Sequence, residues 1–451
     1  MGDWKITPFL LGITSAVLFS HAELYRSSVI PPQEKAVEDA SVFLRRAYHS
    51  SAVLSRRVYI DGGELSYLQD GNVAYESEKS LVWIDLVEDW TNASVTLHSS
   101  SKPAGVPNLK DGGVWADRRH DVLYIGFAGS TPSFGSPAPP PRGLWSFTPD
   151  KTGTGFWENL NRTADDRFLG YPRPPKGYAT SGHGYGFFIG IGGSPGSPAS
   201  PTLPLSRLPT APASLGDLIG GGKQHFGGLM TYHFSDKQLT VNLNAFIDGS
   251  IQEPGSPHGL EYVSHWGDRG ILVSVGSQNQ DLTDDNSLAS FDKVLVYDIA
   301  NQRWFQQETS GDIPQPRRDF CIAGAPSNNR TYDMLVYGGW DGRAGSTAVP
   351  FDSVYVLTLP GFFWVKAEYP PASPRRGLTC NAVGGSQILT IGGVDATQQD
   401  GDAKAGFDTR DPFTQGLAIF DLSTLEWKPS YKAKQSLQPP AAPIQAYYDA
   451  K

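Results

Sequence analysis

The sequence predicts an all-β fold, and its composition, its internal repeats and its strand patterns all support that prediction. The 451 residues include 50 glycines and 35 prolines, and aromatic residues make up 12% of the chain. Only 18% of the residues are charged, against about 25% in an average globular domain. Turn-forming and aromatic residues in these amounts are typical of short strands joined by many turns. The composition argues against a helical bundle, a coiled coil or a wholly disordered chain.

The first 22 residues have the features of a secretory signal peptide. Lys5 precedes an apolar run over residues 6–19, and small residues then lie at the positions needed for cleavage before Glu23. The alternative is an uncleaved anchor, but this run is short for a transmembrane span. We therefore expect residues 1–22 to be removed and residues 23–41 to lead into the fold. No later apolar stretch approaches 18 residues, so we expect that the mature chain does not span a membrane.

Six similar units follow one another over residues 42–430. Each unit has an apolar run that ends in small residues, and in four units these are paired glycines. These runs are 58–63, 123–129, 187–193, 271–277, 335–339 and 389–393. A second apolar run follows in each unit, and a tryptophan follows that run in all but the third unit, which has Leu239 and Val241 nearby. The tryptophans are Trp90, Trp157, Trp304, Trp364 and Trp427.

Alternation of apolar and polar residues predicts that both runs are strands, with a further strand before and after them. The preceding strand is often opened by basic residues, as at 45–49, 316–321 and 374–380. Each unit is therefore interpreted as four antiparallel strands, A to D. A single sheet of this kind cannot bury both faces, whereas a closed ring of sheets can. The sequence predicts a six-bladed β-propeller of four-stranded antiparallel blades.

The units resemble the kelch repeat. The resemblance rests on the basic residue that opens strand A, the paired glycines that close strand B, the strand C pattern and the tryptophan of strand D. It covers residues 42–430 and extends to the galactose oxidase-like propellers and to secreted or cell-surface kelch proteins of fungi. Many of the fungal proteins continue into a stalk and one transmembrane helix. The resemblance therefore implies secretion, or a cell-surface location if such an anchor follows Lys451.

Long insertions in the predicted B–C connections mark one face of the ring. They are residues 130–142, 194–228 and 395–415, and the second is so rich in Pro, Ser and Gly that we expect a mobile loop. Residues 431–451 are predicted to be a flexible tail. Long loops on one face of a rigid scaffold are where binding usually resides.

Basic residues at the predicted starts of the A strands should converge on the same face, at one mouth of the central channel. A partial ring of cations would attract an anionic ligand such as an acidic glycan or an acidic peptide. The alternative is that these groups pair with carboxylates and main-chain carbonyls of the fold. The candidate binding residues are Arg45, Arg46, Arg173, Arg317, Arg318, Arg375, Arg376 and His258, with Lys176 nearby.

Two cysteines and three sequons are consistent with an extracellular location. Cys321 and Cys380 lie on the predicted innermost strands of neighbouring blades, and they either pair or remain as two buried thiols. The sequons place potential glycosylation at Asn92, Asn161 and Asn329.

Charge and motif content exclude several classes of function. The net charge of −9 argues against general nucleic-acid binding. The histidines of the mature chain are scattered singly, and we see no copper or zinc ligand set, no phosphate-binding loop and no Ser-His-Asp order. The sequence therefore predicts no cofactor and no metal.

The sequence predicts an extracellular recognition module, without catalysis, that binds a cell-wall glycan or a protein partner through the B–C loop face. We expect the chain to be a monomer. The alternative function is that of a carbohydrate-active enzyme, a hydrolase or an oxidase, with its site at the Arg-lined mouth of the channel.

Overall fold

The computed structural model describes residues 39–135, 143–160, 173–191, 229–242, 256–278, 288–343, 349, 351–398 and 402–451. Within these residues the fold is all-β. The strands of the first half of the chain are β1 (Phe43–Ala47), β2 (Ser50–Leu54), β3 (Arg57–Asp61), β4 (Glu64–Gln69), β5 (Asn72–Ser77), β6 (Ser80–Asp85), β7 (Trp90–Thr91), β8 (Leu97–Ser101), β9 (Val114–Asp117), β10 (Val122–Ile125), β11 (Trp145–Pro149), β12 (Gly155–Asn159), β13 (Lys176–Gly182), β14 (Tyr185–Ile191), β15 (Leu229–His233) and β16 (Gln238–Asn242).

The second half continues in the same way and ends in a helix. Its elements are β17 (Ser256–Pro257), β18 (Leu260–Val263), β19 (Ile271–Ser274), β20 (Ser277–Gln278), β21 (Lys293–Asp298), β22 (Arg303–Glu308), β23 (Ser310–Gly311), β24 (Arg318–Pro326), β25 (Tyr332–Trp340), β26 (Val354–Leu359), β27 (Phe363–Lys366), β28 (Thr379–Gly384), β29 (Gln387–Ile391), β30 (Leu417–Asp421), β31 (Glu426–Lys428), β32 (Ser430–Tyr431) and the helix α1 (Ala442–Asp449). Two 3₁₀ turns lie at Ala396–Gln398 and Thr414–Gly416.

Six sheets in the described part of the chain share one pattern, in which four strands pair in chain order as an antiparallel meander. We number them in chain order: sheet 1 is β2-β3-β6-β8, sheet 2 is β9 to β12, sheet 3 is β13 to β16, sheet 4 is β18-β19-β21-β22, sheet 5 is β24 to β27 and sheet 6 is β28 to β31. The short β23 adds to sheet 5 in parallel with β27. The prediction of four-stranded antiparallel sheets, each with its own run of small residues after the second strand, is confirmed.

The first strands of the six sheets contact one another in sequence. β2 contacts β9, β9 contacts β13, β13 contacts β18, β18 contacts β24, β24 contacts β28, and β28 contacts β2. The apolar core lies between neighbouring sheets, since each cluster of buried apolar residues combines side chains from adjacent sheets. For example, Trp115 of sheet 2 is fully buried, stacks on Tyr232 of sheet 3 at 5.6 Å and donates its indole N–H to the carbonyl of Phe187 at 2.9 Å.

The predicted first strand of unit 1 lies in the wrong place. Residues 45–47 belong to β1, which pairs with β4 in a small sheet with β5, and the first strand of sheet 1 begins at Ser50. Tyr48 separates the two strands because its φ of 60° breaks the extended backbone. The β4–β5 hairpin occupies the B–C connection of unit 1, and the sequence analysis did not recognise it as an insertion.

Trp90 also departs from the predicted pattern. It lies in β7, which pairs with β32, and the fourth strand of sheet 1 is β8. Trp90 stacks on Tyr431 at a centroid distance of 5.2 Å, so it packs against the segment that follows sheet 6. The other four tryptophans of the pattern lie in the fourth strands of their sheets, at β12, β22, β27 and β31.

The prediction of a flexible tail over residues 431–451 is wrong. The helix α1 buries Ile444, and Tyr447 stacks on Phe363 at 4.2 Å. Tyr448 accepts a hydrogen bond from the backbone N–H of Gly361 at 3.0 Å. Proline and alanine in this segment suggested flexibility, but the apolar and aromatic residues of the helix find a complementary surface on sheets 5 and 6.

Candidate functional site

A central cavity of about 810 Å³ is lined by the first strands of all six sheets. We call its two ends by the connections that surround them. The loop end is formed by Tyr48, Asp111, Lys176, Asp319 and Gly377, where the first strands begin and the B–C connections lie. The turn end is formed by residues at or just beyond the ends of the first strands, including Arg118, Arg119, His183, His265 and Gly384.

The loop end has a belt of residues in the left-handed backbone region. Tyr48, Asp111, Asp319 and Gly377 have φ values of 60°, 53°, 58° and 67°. Backbone hydrogen bonds join them from sheet to sheet: Gly377 donates to Asp319 at 3.0 Å, Tyr48 to Gly377 at 2.7 Å and Asp111 to Tyr48 at 2.8 Å. Left-handed backbone is costly for residues other than glycine. The hydrogen bonds between sheets offset that cost. At each of these positions the backbone turns into the first strand of its sheet.

Asp319 is the centre of a charge cluster at the loop end. Its Oδ1 accepts a hydrogen bond from Lys176 Nζ at 2.5 Å, and its Oδ2 accepts from Arg376 Nη1 at 3.2 Å and from the Trp340 indole at 3.0 Å. Lys176 also lies 3.6 Å from Asp111 Oδ1. Side chains from sheets 2, 3, 5 and 6 thus meet across the cavity and narrow this end of it.

The ionisation of this cluster follows from its neighbours. Burial alone would raise the pKa of the Asp319 carboxyl, but Lys176, Arg318 and Arg376 lower that pKa more strongly, so it lies far below the ordinary value. Burial would likewise lower the pKa of Lys176, but Asp111 and Asp319 raise it above the ordinary value. Asp319 and Lys176 are therefore both charged at neutral pH.

Arg375 is held by a second carboxylate, that of Asp411. Its two terminal nitrogens lie 3.3 and 3.1 Å from the two Asp411 oxygens, and Nη1 also donates to the carbonyl of Gly392 at 2.9 Å. The guanidinium stacks on Phe413 at 4.2 Å and is 1% exposed. Arg45 lies 3.6 Å from the same carboxylate. Asp411 belongs to the B–C connection of sheet 6, so these arginines anchor that loop from below.

Arg317 occupies the equivalent place in sheet 5 but has no carboxylate within ion-pair distance among the described residues. Its Nη1 donates to the carbonyl of Gly338 at 3.1 Å and to the Ser353 hydroxyl at 3.2 Å. The guanidinium lies 4.1 Å from the centroid of Phe351 and 5.2 Å from that of Tyr355. It is 1% exposed, so this charge is stabilised by carbonyl, hydroxyl and ring contacts inside the protein.

The remaining candidate residues also have contacts within the fold. Arg46 pairs with Glu78 at 3.2 Å, and Arg173 donates to the carbonyl of Gly126 at 3.1 Å. Arg318 lies over the Trp340 ring at 5.0 Å. His258 is buried with its ring 6.2 Å from that of Tyr178, and burial lowers its pKa to about 3, so it is neutral at physiological pH. None of the eight candidate binding residues is among those that line the central cavity, although Arg376 reaches Asp319 at the loop end. Direct contact of these residues with a ligand remains a prediction.

The arginines and the paired glycines form one structural unit. In sheets 5 and 6 the arginine before the first strand donates to the carbonyl of the first paired glycine, as Arg375 does to Gly392. The second glycine donates its N–H across to the next segment, as Gly393 does to the Arg46 carbonyl at 2.7 Å. A Cβ at position 392 would lie 2.2 Å from that carbonyl oxygen. This close approach explains why both motifs recur together.

Three B–C connections interlock above the loop end, and we call them the loop platform. It consists of the β4–β5 hairpin, residues 130–135 and residues 402–413. Phe134 contacts Tyr75 at 5.4 Å and Phe407 at 5.1 Å, so one aromatic ring from each connection meets at one point. Glu64 accepts a hydrogen bond from the backbone N–H of Ser133 and pairs with Lys110 at 3.3 Å. The predicted insertion 194–228 lies outside the described residues, as do parts of the other two.

Polar groups line the cavity wall below the loop end. Asn381 Nδ2 donates to Ser51 at 2.7 Å, Ser51 donates to Thr379 at 2.7 Å, and Thr379 lies 2.8 Å from His49 Nε2. Burial lowers the pKa of His49 to about 3, so its ring is neutral. Cys321 of β24 and Cys380 of β28 form a disulfide in the same wall, with their Cα atoms 5.4 Å apart. Of the two alternatives that the sequence left open for these cysteines, the structure shows the disulfide.

The turn end has functional groups that the sequence analysis missed. Glu261 of β18 accepts hydrogen bonds from the Tyr332 hydroxyl at 2.7 Å and from the backbone N–H of Gly324 at 3.1 Å. Burial raises the pKa of Glu261 to about 7, and Arg118 partly opposes that rise. Arg118 and Arg119 follow directly after β9. The sequence signal was an Arg-Arg pair after a first strand, but only the arginines before such strands were considered.

The described residues bear on the predictions about metals, membranes and glycosylation. Among them, no group of three His, Cys, Asp or Glu side chains is arranged to hold a metal ion. The described part of the chain contains no helix that is long and apolar enough to cross a membrane. Asn329 is exposed and Asn92 is half-buried, whereas Asn161 lies outside the described residues. Glycosylation at all three remains a prediction.

Comparison with known proteins gives one match in sequence. No protein-family model matches the chain. A "Kelch repeat-containing protein" from Arthroderma benhamiae (strain ATCC MYA-4681 / CBS 112371) is 29% identical over 181 residues, which are 39% of this chain. The chain covers 24% of the length of that relative.

Among solved structures, that of YjhT superposes with a TM-score of 0.49 and 12% sequence identity. The superposition covers 89% of this chain and 99% of the YjhT chain. The sequence match agrees with the kelch resemblance of the repeated units, and the antiparallel four-stranded sheets agree with the architecture that this resemblance implies. The partial sequence match and the repeated antiparallel sheets together support a kelch-repeat β-propeller.

Proposed function

We propose that this chain is an extracellular recognition module, a closed six-bladed propeller that binds a glycan or a protein partner through the loop platform. A kelch-type propeller supports a binding role in general. The cyclic contacts among the six first strands support the closed ring. The resemblance of residues 1–22 to a signal peptide supports the extracellular location.

The observation that carries the binding role is the construction of the loop platform. Its connections are long, which is uncommon for loops that only join strands. They are nevertheless held in one arrangement by the ring contacts around Phe134 and by the anchoring of Asp411 on Arg375. Arg410 adds hydrogen bonds to the carbonyls of Ala40 and Ser41 at 2.9 and 2.6 Å. Loops ordered before a partner arrives bind at lower entropic cost.

The sharpest test changes exposed residues of the loop platform. Asp70 lies at the tip of the β4–β5 hairpin, and Lys404 lies over the Tyr75 ring at 5.0 Å, and both are exposed. Purified protein would be applied to arrays of cell-wall polysaccharides and of secreted-protein baits. The double charge reversal Asp70→Lys with Lys404→Glu should weaken binding by about tenfold or more.

The control for this test is Arg303→Glu, an exposed charge on the outer strand β22 that lies away from the loop platform. Binding that falls equally in the control and in the double variant would show a general charge effect and contradict the proposal. Catalytic turnover of an array polysaccharide would instead support the alternative of a carbohydrate-active enzyme. The candidate arginines are less suitable for this test because Arg45, Arg46, Arg317 and Arg375 are buried and hold the fold together.

The extracellular part of the proposal has a separate test. Expression of the full chain in a eukaryotic secretory host should release protein that begins at Glu23 into the medium. Removal of N-glycans should then lower its apparent mass, and Asn329→Gln should remove one step of that change because Asn329 is exposed. Retention of an unprocessed amino terminus inside the host would contradict the extracellular location.

A further inference from the structure

We propose that the central cavity is a second binding site, entered from the turn end, for a small hydroxylated organic anion. This site is separate from the loop platform, which lies at the opposite end of the cavity. The volume of about 810 Å³ is within the range of cavities that hold small molecules in proteins, about 300–1,000 Å³. The proposal goes beyond the recognition function because it concerns a different face and a different class of ligand.

The direction of entry follows from the exposure of the two ends. At the loop end, Asp319 is buried, and the Lys176–Asp319 ion pair joins sheets 3 and 5 across the cavity. At the turn end, Arg118, His183 and His265 are all exposed. A ligand of the size of one sugar ring can therefore approach past the turns, whereas the charge cluster obstructs the other end.

The charge of the ligand follows from Arg118 and Arg119. Both are exposed, and neither has an ion-pair partner among the described residues. Arg118 lies close enough to act electrostatically on Glu261 and Tyr332 across the cavity, and Arg119 acts on Tyr262. This contrasts with the loop end, where carboxylates already engage Arg375 and Arg376. Arg118 and Arg119 both line the cavity, and a guanidinium group matches the paired oxygens of a carboxylate or a phosphate.

The hydroxyl groups of the ligand would meet a wall of hydrogen-bonding side chains. Ser51, Thr379 and Asn381 line one side of the cavity, and Thr180 and Ser181 line another. His49 lies beside Thr379, and its Nδ1 has no hydrogen-bond partner in the described part of the structure. Polar groups that converge in a cavity of this volume favour a compact polyhydroxylated molecule over an apolar one.

The test uses three probes of similar size on the full purified protein. Glucuronate carries a carboxylate, glucose 6-phosphate carries a phosphate, and glucose carries no charge. Binding would be measured by isothermal titration calorimetry. We expect at least one of the two anions to bind and glucose to bind more weakly by about tenfold or more, because charge-assisted hydrogen bonds are stronger than neutral ones. The two anions distinguish a carboxylate site from a phosphate site.

The variant Arg118→Gln with Arg119→Gln should reduce anion binding by about tenfold or more while the thermal midpoint stays unchanged, because both side chains are exposed. Arg303→Gln is the matched control, since Arg303 is an exposed arginine that does not line the cavity. The proposal is overturned if neither anion binds at a concentration on the order of 10 mM. It is also overturned if the double variant binds the anion as tightly as the natural protein, or if Arg303→Gln loses as much anion binding as the double variant. Charge reversal at Asp70 and Lys404 should leave anion binding intact, so this site and the loop platform can fail independently.

Discussion

At the scale of single residues, one buried carboxylate holds the charged groups of the loop end together. Asp319 receives the side chains of Lys176 and Arg376 from two other sheets, so it neutralises cations that the sequence places far apart. The sequence pattern indicated those cations and left two interpretations open, ligand contact or pairing within the fold. The structure gives Arg376 and Lys176 carboxylate partners, but no sequence pattern singled out Asp319. Its importance depends on which sheets face each other across the cavity.

Replacement of Asp319 by asparagine should lower the free energy of unfolding by about 3 kcal/mol at pH 7, because two cations would lose their shared carboxylate partner. Urea unfolding followed by tryptophan fluorescence measures this change. Asp70→Asn is a matched control, because Asp70 is also in the left-handed region with φ of 51° but is exposed. Its unfolding free energy should change by less than about 0.5 kcal/mol.

The comparison of the natural protein with Asp319→Asn also gives a prediction about how stability depends on pH. The pKa of Asp319 is lowered in the folded state, so its stabilising contribution is present above about pH 4 and is lost as the pH falls further. The difference in stability between the natural protein and Asp319→Asn should therefore shrink between pH 5 and pH 3. A difference that stays constant over this range would contradict the ionised state of Asp319.

Glu261 should show the opposite behaviour. Burial raises its pKa to about 7, so the folded protein is penalised increasingly as the pH rises from about 4.5 to 7. Glu261→Gln keeps an oxygen to accept the hydrogen bonds from Tyr332 and Gly324. The variant should match the natural protein near pH 4 and be more stable by about 1–3 kcal/mol at pH 8. Thermal unfolding at the two pH values measures this, and a variant that is less stable at pH 8 would contradict it.

At the scale of elements, the paired glycines of sheets 1, 5 and 6 join each of these sheets to the next one. Gly392 has a φ of 67°, and a Cβ there would lie 2.2 Å from the Arg46 carbonyl oxygen, so no side chain fits at this position. Sequence repetition located this motif correctly and interpreted it as a backbone requirement. What the repetition could not reveal is the partner, because Arg46 lies 346 positions earlier in the chain and at the other end of the repeat series.

Gly392→Ala should destabilise the protein by about 3 kcal/mol or more, because left-handed backbone strain and a backbone clash act together. Gly71→Ala is the control, since Gly71 has a φ of 80° but a Cβ there would meet nothing within 4 Å. That variant carries only the conformational strain, about 1 kcal/mol. Chemical denaturation of both variants separates the two contributions, and equal losses would argue against the close contact with Arg46.

At the scale of the whole molecule, the tail after sheet 6 belongs to the fold. The segment pairs through β32 with β7 of unit 1 and then places α1 against sheet 5. Local composition made it resemble a flexible extension, because short helices gain most of their stability from packing and very little from their own sequence. Trp90 was assigned to the wrong strand for the same reason: its position depends on packing against Tyr431, which lies far along the chain.

Ile444→Ala should lower the unfolding free energy by about 2–4 kcal/mol, because Ile444 is the fully buried residue of α1. Asp449→Ala, at the exposed end of the same helix, should have little effect. Equilibrium unfolding and amide hydrogen exchange of residues 442–449 both report on this region. Rapid exchange throughout the helix, with no loss of stability in the Ile444 variant, would restore the flexible-tail interpretation.

The sequence by itself determined the all-β class, the repeating unit, the strand positions in most units, the cysteine pair as candidates for a disulfide and the face that carries the long connections. These features depend on local periodicity and on residues that recur at regular intervals, which are visible without knowledge of distant contacts. Only the tertiary structure decided how the basic residues are used, that three connections form one loop platform, and that Glu261, Arg118 and Arg119 share the turn end. The physical reason is that burial and pairing depend on which sheets face each other, and the ring brings together residues hundreds of positions apart.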